Sequence, residues 1–164
     1  MNIFILDKDP IKAAQYHCDK HVPKLVVELY QQMGSAVIRH GAQPHQMPLN
    51  KQGQPLKGGY HNHPCTRWVG DSRSNYQWAG SHAIGLCLEY NTRYDKIHFC
   101  EAGIRHLQEM DYFIPEGELT SFALAMPDQY KSEDPVQSYR NYYLGEKKYF
   151  AKWKQGNIPQ WWIV

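Results

Sequence analysis

The stretch from Asp9 to Gly41, DPIKAAQYHCDKHVPKLVVELYQQMGSAVIRHG, decides how this chain reads. Proline is accepted in the first turn of a helix and not in its interior, so the segment reads as two helices meeting near Pro23. Asp9-Pro10 supplies an N-cap and a first-turn proline for the first, which is expected to run to about Cys18. In the second, about Val22 to His40, Val22, Leu25, Val26, Leu29, Met33, Ala36 and Val37 recur at i, i+3, i+4 and predict a buried face. A second stripe on that helix is polar: His21, Lys24, Glu28, Gln31 and Ser35. Glu28 is its only acidic member, and a carboxylate beside a packed face is a candidate catalytic group. The competing reading is a surface Lys24 to Glu28 pair at i, i+4, worth about 0.3–0.5 kcal/mol, and helix statistics alone favour it.

Upstream, MNIFIL is too short for a helix and reads as an extended segment tucked against the body. Chain ends fray unless held, so an ordered α-amine of Met1 or Asn2 beside Glu28 would be a chemical feature. Downstream, Gly41 to Gly59 is rich in Gly, Pro, Gln and Asn and reads as a long exposed loop. It enters GGYHNHPCTRW, where a turn at Gly58-Gly59 precedes His61, His63 and Cys65. Asp71 or Ser72 then caps a helix expected over about Arg73 to Tyr94, with Tyr76, Ala79, Ala83, Leu86, Cys87 and Tyr90 on one face. A further helix is expected from about Glu101 to Glu109. PEGELTSFALAMPDQYK then reads as irregular, with a buried centre at Phe122 to Met126. Glu133-Asp134-Pro135 opens the last element, expected to continue through SYRNYYLGEKKYFAKWK, and Trp161-Trp162 is expected to dock on the body.

The resulting expectation is an all-α fold: one compact helical domain over 1–164, with a short extended N-terminal segment and long loops. At 164 residues and 42% hydrophobic content, one core suffices. No apolar run reaches membrane-spanning length and no signal peptide is evident, so the expectation is a soluble cytoplasmic protein without a membrane partner. Cys18, Cys65, Cys87 and Cys100 form no CxxC pair and read as reduced thiols. A net charge of +2 is compatible with nucleic acid without demanding it. The aromatic load is more unusual, with twelve Tyr and five Trp alongside nine His. In the last segment Arg140, Lys147, Lys148, Lys152 and Lys154 alternate with Tyr139, Tyr142, Tyr143, Tyr149, Phe150 and Trp153. Cations for phosphates beside rings for bases suit a nucleic-acid surface; ordinary amphipathic packing, rings inward, explains the same pattern.

Three chemistries fit the polar residues. His17, His21, His61, His63 and Cys65 could supply zinc-type ligands if their stretches meet, although their spacing matches no zinc motif and Cys18 stands where HExxH has glutamate. Bland hydrogen-bonded histidines explain them better. Cys65 beside His63 could be a thiol nucleophile, the weakest of the three. A third is amine chemistry: an α-amine with a pKa of about 7.7–8.0 is partly neutral near pH 7 and can form a Schiff base, with a carboxylate such as Glu28 moving protons and stabilising a cationic sugar.

DKHVPKLVVEL, Asp19 to Leu29, resembles DQHLMAEYREL of the T-even phage pyrimidine-dimer DNA glycosylase family. Asp19, His21, Glu28 and Leu29 fall in register, and Glu28 falls on that family's catalytic glutamate. GYHNHP, Gly59 to Pro64, is similar to a GYxxHP string in bacterial relatives; the helix around Trp78 to Tyr94 and SYRNYYLGEKK resemble its later helix and tyrosine-rich tail. The resemblance implies an all-α domain that binds double-stranded DNA, everts a nucleotide, cuts the glycosidic bond with the N-terminal amine and cleaves the strand by β-elimination, without a cofactor. It departs from the family at Asn2, bulky enough that Met1 could be retained, and at Val27, where the phage family has an arginine.

On this reading Glu28, the amine of Met1 or Asn2, and His21 form the catalytic group. Arg67, Arg73, Arg140, Tyr142, Tyr143, Lys147 and Lys148 are the candidate DNA contacts. The expected function is a DNA-repair glycosylase with abasic-site lyase activity on damaged pyrimidines. The alternatives are a metal-dependent enzyme on nucleotides or nucleic acid, and a non-catalytic phage DNA-binding protein.

Overall fold

The computed structural model describes residues 2–155 and 157–162. Among them are six α-helices: α1 Pro10–Tyr16, α2 His21–Arg39, α3 Pro64–Asp71, α4 Arg73–Tyr94, α5 Glu101–Gln108 and α6 Pro135–Glu146. Short 3₁₀ turns occur at Pro44–Gln46, Asp111–Phe113 and Asp128–Tyr130, and the β-structure among the described residues is a single Leu49–Pro55 bridge. The all-α expectation therefore holds.

The caps explain most boundaries. Asp9 accepts hydrogen bonds from the N–H groups of Ile11 and Lys12, Ser72 from Asn75, and Asp134 from Val136 and Gln137. Ser72, not Asp71, is thus the cap of α4. The helix α3 was not expected; its cap is the ring of His63, which accepts the Cys65 N–H. The extended backbone of Ser72 separates α3 from α4.

The central helix is α4, which packs against α1, α2, α3 and α5. Asn75, Trp78 and His82 are buried on it as well as the expected Tyr76, Ala79, Ala83, Leu86 and Cys87, as befits a helix enclosed on several sides. On α2 the apolar face from Val22 to Val37 is buried, and Ile3, Phe4, Ile5 and Leu6 of the N-terminal strap are buried in the same core.

Two expectations need correction. The first is that α6 does not run through the whole aromatic-basic segment. It stops at Glu146, because the following chain turns back onto the elbow between α1 and α2: the Asp19 N–H donates to the Lys152 carbonyl at 2.8 Å and the Lys154 N–H to Asp19 Oδ2 at 2.8 Å. The second is that Phe122 to Leu124 are only half-buried, with Met126 the buried member of that segment. Trp161 and Trp162 are half-buried against Tyr143, as expected.

Arg93 holds the elbow. Its side chain is 4% exposed, and the guanidinium donates to the carbonyls of Gln15 and His17, to Asp19 Oδ1 at 3.1 Å and to Glu89 Oε1 at 2.8 Å. Tyr94 adds a hydrogen bond to the Asp19 carbonyl at 2.6 Å. Asp19 is thus a structural residue that fixes where α2, and with it His21 and Glu28, begins.

Candidate active site

The polar stripe of α2 is mostly turned away from open water, with Lys24 its exposed member. His21, Glu28 and Ser35 are buried, and Glu28 retains 7% exposure. A cleft of about 330 Å³ lies over the stripe, lined by Asn2, Phe4, His21, Lys24, Glu28, His63, Tyr142 and Lys147 among others. That is within the size range of small-ligand sites. The Lys24–Glu28 pair exists, at 4.0 Å, but its carboxylate is enclosed; the surface-pair reading of Glu28 is therefore corrected.

Four segments deliver these side chains. The first is the N-terminal strap, where Asn2 donates to the Ala125 carbonyl and accepts the Phe4 N–H at 2.8 Å. Phe4 takes a left-handed φ of 50°, a costly geometry for a non-glycine residue and one that concentrates at functional sites. Its ring stacks on Tyr142 at 5.6 Å and 14°, and lies 4.9 Å from His21. The second is α2 itself. The third is the loop from Gly58 to His63, fastened by Ser35, whose hydroxyl donates to the Gly59 carbonyl and accepts the Gly59 N–H, both at 2.8 Å. Gly58 has φ +71°, and a Cβ there would stand 2.4 Å from Ser35 Oγ, so only glycine fits. The fourth is the end of α6, carrying Tyr142 and, just beyond it, Lys147 over the Phe4 and Tyr142 rings at 5.4 and 5.0 Å.

The electrostatics follow from enclosure. Burial pushes the Glu28 carboxyl up from its ordinary value, with Lys24 opposing. Burial, then Lys147, Lys24 and Lys20, pushes His21 down to about 3, so it is neutral at physiological pH. Burial also lowers His63 and raises the Cys65 thiol, which is 1% exposed. A buried, protonated thiol is a poor nucleophile, and Cys65 serves as core beneath the cleft.

The expected site residues separate into groups. Glu28, Asn2 and His21 come together, joined by Tyr142 and Lys147; Met1 lies outside the described residues. Arg67 and Lys148 are exposed. Arg73 is engaged with Glu116 and the Ile114 carbonyl, and Arg140 with Asp7 and the Leu6 carbonyl. Tyr143 is fully buried, so as a DNA contact it is corrected: its hydroxyl serves the core. The alternative metal set does not assemble. His61 is exposed and His17 sealed in the core, and among the described residues no group of three or more His, Cys, Asp or Glu is placed to hold a metal ion.

Sequence reasoning overlooked Phe4, Lys24 and His63 as members of one cleft. The GYHNHP string and the i, i+4 step from Lys24 to Glu28 were the available signals. A larger groove of about 680 Å³ lies beside α2 at Val27, Tyr30, Leu49 and Phe99, and its lining contains no carboxylate. No helix among the described residues is long and apolar enough to cross a membrane. Compared with protein-family models, curated proteins and solved structures, the chain has no match in any of the three.

Proposed function

We propose that this cleft is the active site of a DNA-repair glycosylase with abasic-site lyase activity on damaged pyrimidines. The observation that carries the reading is the sharing of one cleft by Asn2 and the enclosed Glu28 carboxyl. An α-amine carried by residue 2 would stand in that cleft, and Lys24 and Lys147 supply further amines at its edge.

A neutral amine gives its lone pair to C1′ of an everted nucleotide. The C1′–N bond breaks, its electron pair leaves with the base, and the base takes up a proton. The amine nitrogen loses a proton and its lone pair forms a C1′=N bond as the C1′–O4′ bond breaks; the electron pair goes to O4′, which takes up a proton, and the product is a Schiff base. Removal of a C2′ proton then expels the 3′ phosphate oxygen, and water releases the amine. Glu28 suits two of these needs. Its carboxylate stabilises the cationic sugar, and burial, by raising its proton affinity above that of an ordinary carboxyl, suits it to passing protons. Whichever of Lys24 and Lys147 is not the nucleophile offers a contact to a flanking phosphate, and the Phe4–Tyr142 stack offers a face for a base.

The test is base release and strand cleavage on duplexes carrying a pyrimidine dimer, an oxidised pyrimidine, uracil or an abasic site. Turnover on at least one duplex, reduced a hundredfold or more by Glu28→Gln, is the expected result. No turnover on any of them, with salt-sensitive binding that Glu28→Ala leaves unchanged, would replace this reading with a non-catalytic DNA-binding protein.

A further inference from the structure

We propose that Tyr143 and the Cys65 backbone N–H are positioning groups that fix His21 and His63 as neutral Nε2–H imidazoles, a pair of hydrogen-bond donors beside Glu28 for an oxygen acceptor of the bound nucleotide.

Valence fixes the His63 ring. A backbone N–H can only donate, and that of Cys65 meets His63 Nδ1 at 3.1 Å. Nδ1 is therefore the unprotonated nitrogen, and a neutral ring carries its hydrogen on Nε2. The His21 ring is fixed by the number of protons available and by bond length. The Tyr143 hydroxyl oxygen accepts the Cys18 N–H at 3.2 Å, and its single hydrogen has three possible acceptors: His21 Nδ1 at 2.7 Å, His17 Nδ1 at 3.3 Å and Cys18 Sγ at 3.4 Å. A separation of 2.7 Å is the ordinary length for an O–H donor and short for an N–H donor. The hydrogen therefore belongs to His21, whose Nδ1 accepts it and whose Nε2 carries the ring's own. His17 Nδ1, 3.3 Å from the Tyr143 oxygen, does not receive that hydrogen.

Both rings line the cleft, both have Nδ1 committed to the protein, and neither Nε2 has a partner among the described residues. Two neutral donors beside a carboxyl group do not compete with it for a proton. They are suited instead to an oxygen that gathers negative charge, where donors fixed in advance act without reorganisation. Burial and then the Lys147, Lys24 and Lys20 cations keep His21 neutral; His17, Phe4, Tyr143 and Phe150 also face its ring, and Glu28, the acidic group across the cleft, opposes the cations.

This inference rests on the glycosylase reading only for the identity of the acceptor; the tautomers stand or fall without it. The experiment is two-dimensional proton–nitrogen NMR of the full chain with nitrogen-15 histidine, from pH 8 to 5. The expected result is that His21 and His63 both show unprotonated Nδ1 and protonated Nε2, with His21 unchanged over the whole range. A Nδ1–H tautomer at either ring, or titration of His21 above pH 5, overturns the assignment. Tyr143→Phe is expected to give His21 a mixture of tautomers and to lower kcat about tenfold or more with KM little changed. His21→Gln, which keeps an N–H at similar reach, is expected to retain more activity than His21→Leu; equal loss would overturn the donor role. Comparing a base-containing duplex with an abasic one then locates the acceptor. If only the former is slowed in His21→Leu, the acceptor is a base carbonyl. If both are slowed, it is a sugar or phosphate oxygen. If neither is slowed, the donors play no part.

Discussion

Lys24 Nζ and Glu28 Oε1 stand 4.0 Å apart in different environments: the lysine side chain is 62% exposed and the glutamate 9%. Burial outweighs the attraction, so the folded carboxyl binds its proton more tightly than the unfolded one. A carboxyl with a raised folded pKa favours folding while protonated, and that advantage is lost as pH rises from its unfolded value through its folded one. Glu28→Gln should therefore raise Tm at pH 7, and the gain should vanish below about pH 4, where both states are protonated. Thermal melts across pH check this, and an equal shift at every pH would contradict it.

Arg93 and Asp19 set where α2 begins. Removing one partner leaves the other buried and uncompensated, so Arg93→Met should destabilise the fold by about 3–5 kcal/mol. Urea denaturation of Arg93→Met, Asp19→Asn and the double variant should show a coupling above about 1 kcal/mol, since the two residues share one network.

Gly58 and Gly53 both have positive φ, +71° and +76°, but only Gly58 has neighbours within 4 Å of a Cβ position. Gly53→Ala should cost about 1–2 kcal/mol from the backbone alone. Gly58→Ala should cost more, because the new methyl meets Ser35, and it should also lower activity by shifting His63. Equal denaturation midpoints for the two variants would contradict the fastening role of Ser35.

Lys147 and Lys148 follow the end of α6, one in the cleft and one exposed. On the DNA-binding reading, each change to Ala should reduce the slope of log affinity against log salt by about 1. Arg140→Ala should act on stability instead, through its bond to Asp7.

Much of the helical scaffold is legible from local chemistry. Asp9-Pro10, Ser72 and Asp134-Pro135 are strong start signals, and each opens a helix where expected. The helix α3 escaped because its cap is a histidine, outside the usual set of Ser, Thr, Asp and Asn. The end of α6 was set by hydrogen bonds to Asp19, more than a hundred residues away, which no local pattern encodes. Glu28 could be singled out on α2, but its enclosure depends on Asn2, His63 and Lys147 arriving from three other segments. The aromatic-basic alternation divided between both readings: Tyr139 and Tyr143 turn inward, whereas Tyr149 is 85% exposed.

The central claim is that an amine bordering the Glu28 cleft attacks the sugar of a damaged nucleotide. Borohydride reduction during turnover on a lesion-containing or abasic duplex, followed by peptide mapping, tests it most directly. The account predicts a covalent protein–DNA adduct on the α-amine, Lys24 or Lys147, strongly reduced in Glu28→Gln. No adduct, an adduct undiminished by Glu28→Gln, or one attached to a lysine remote from the cleft would contradict it.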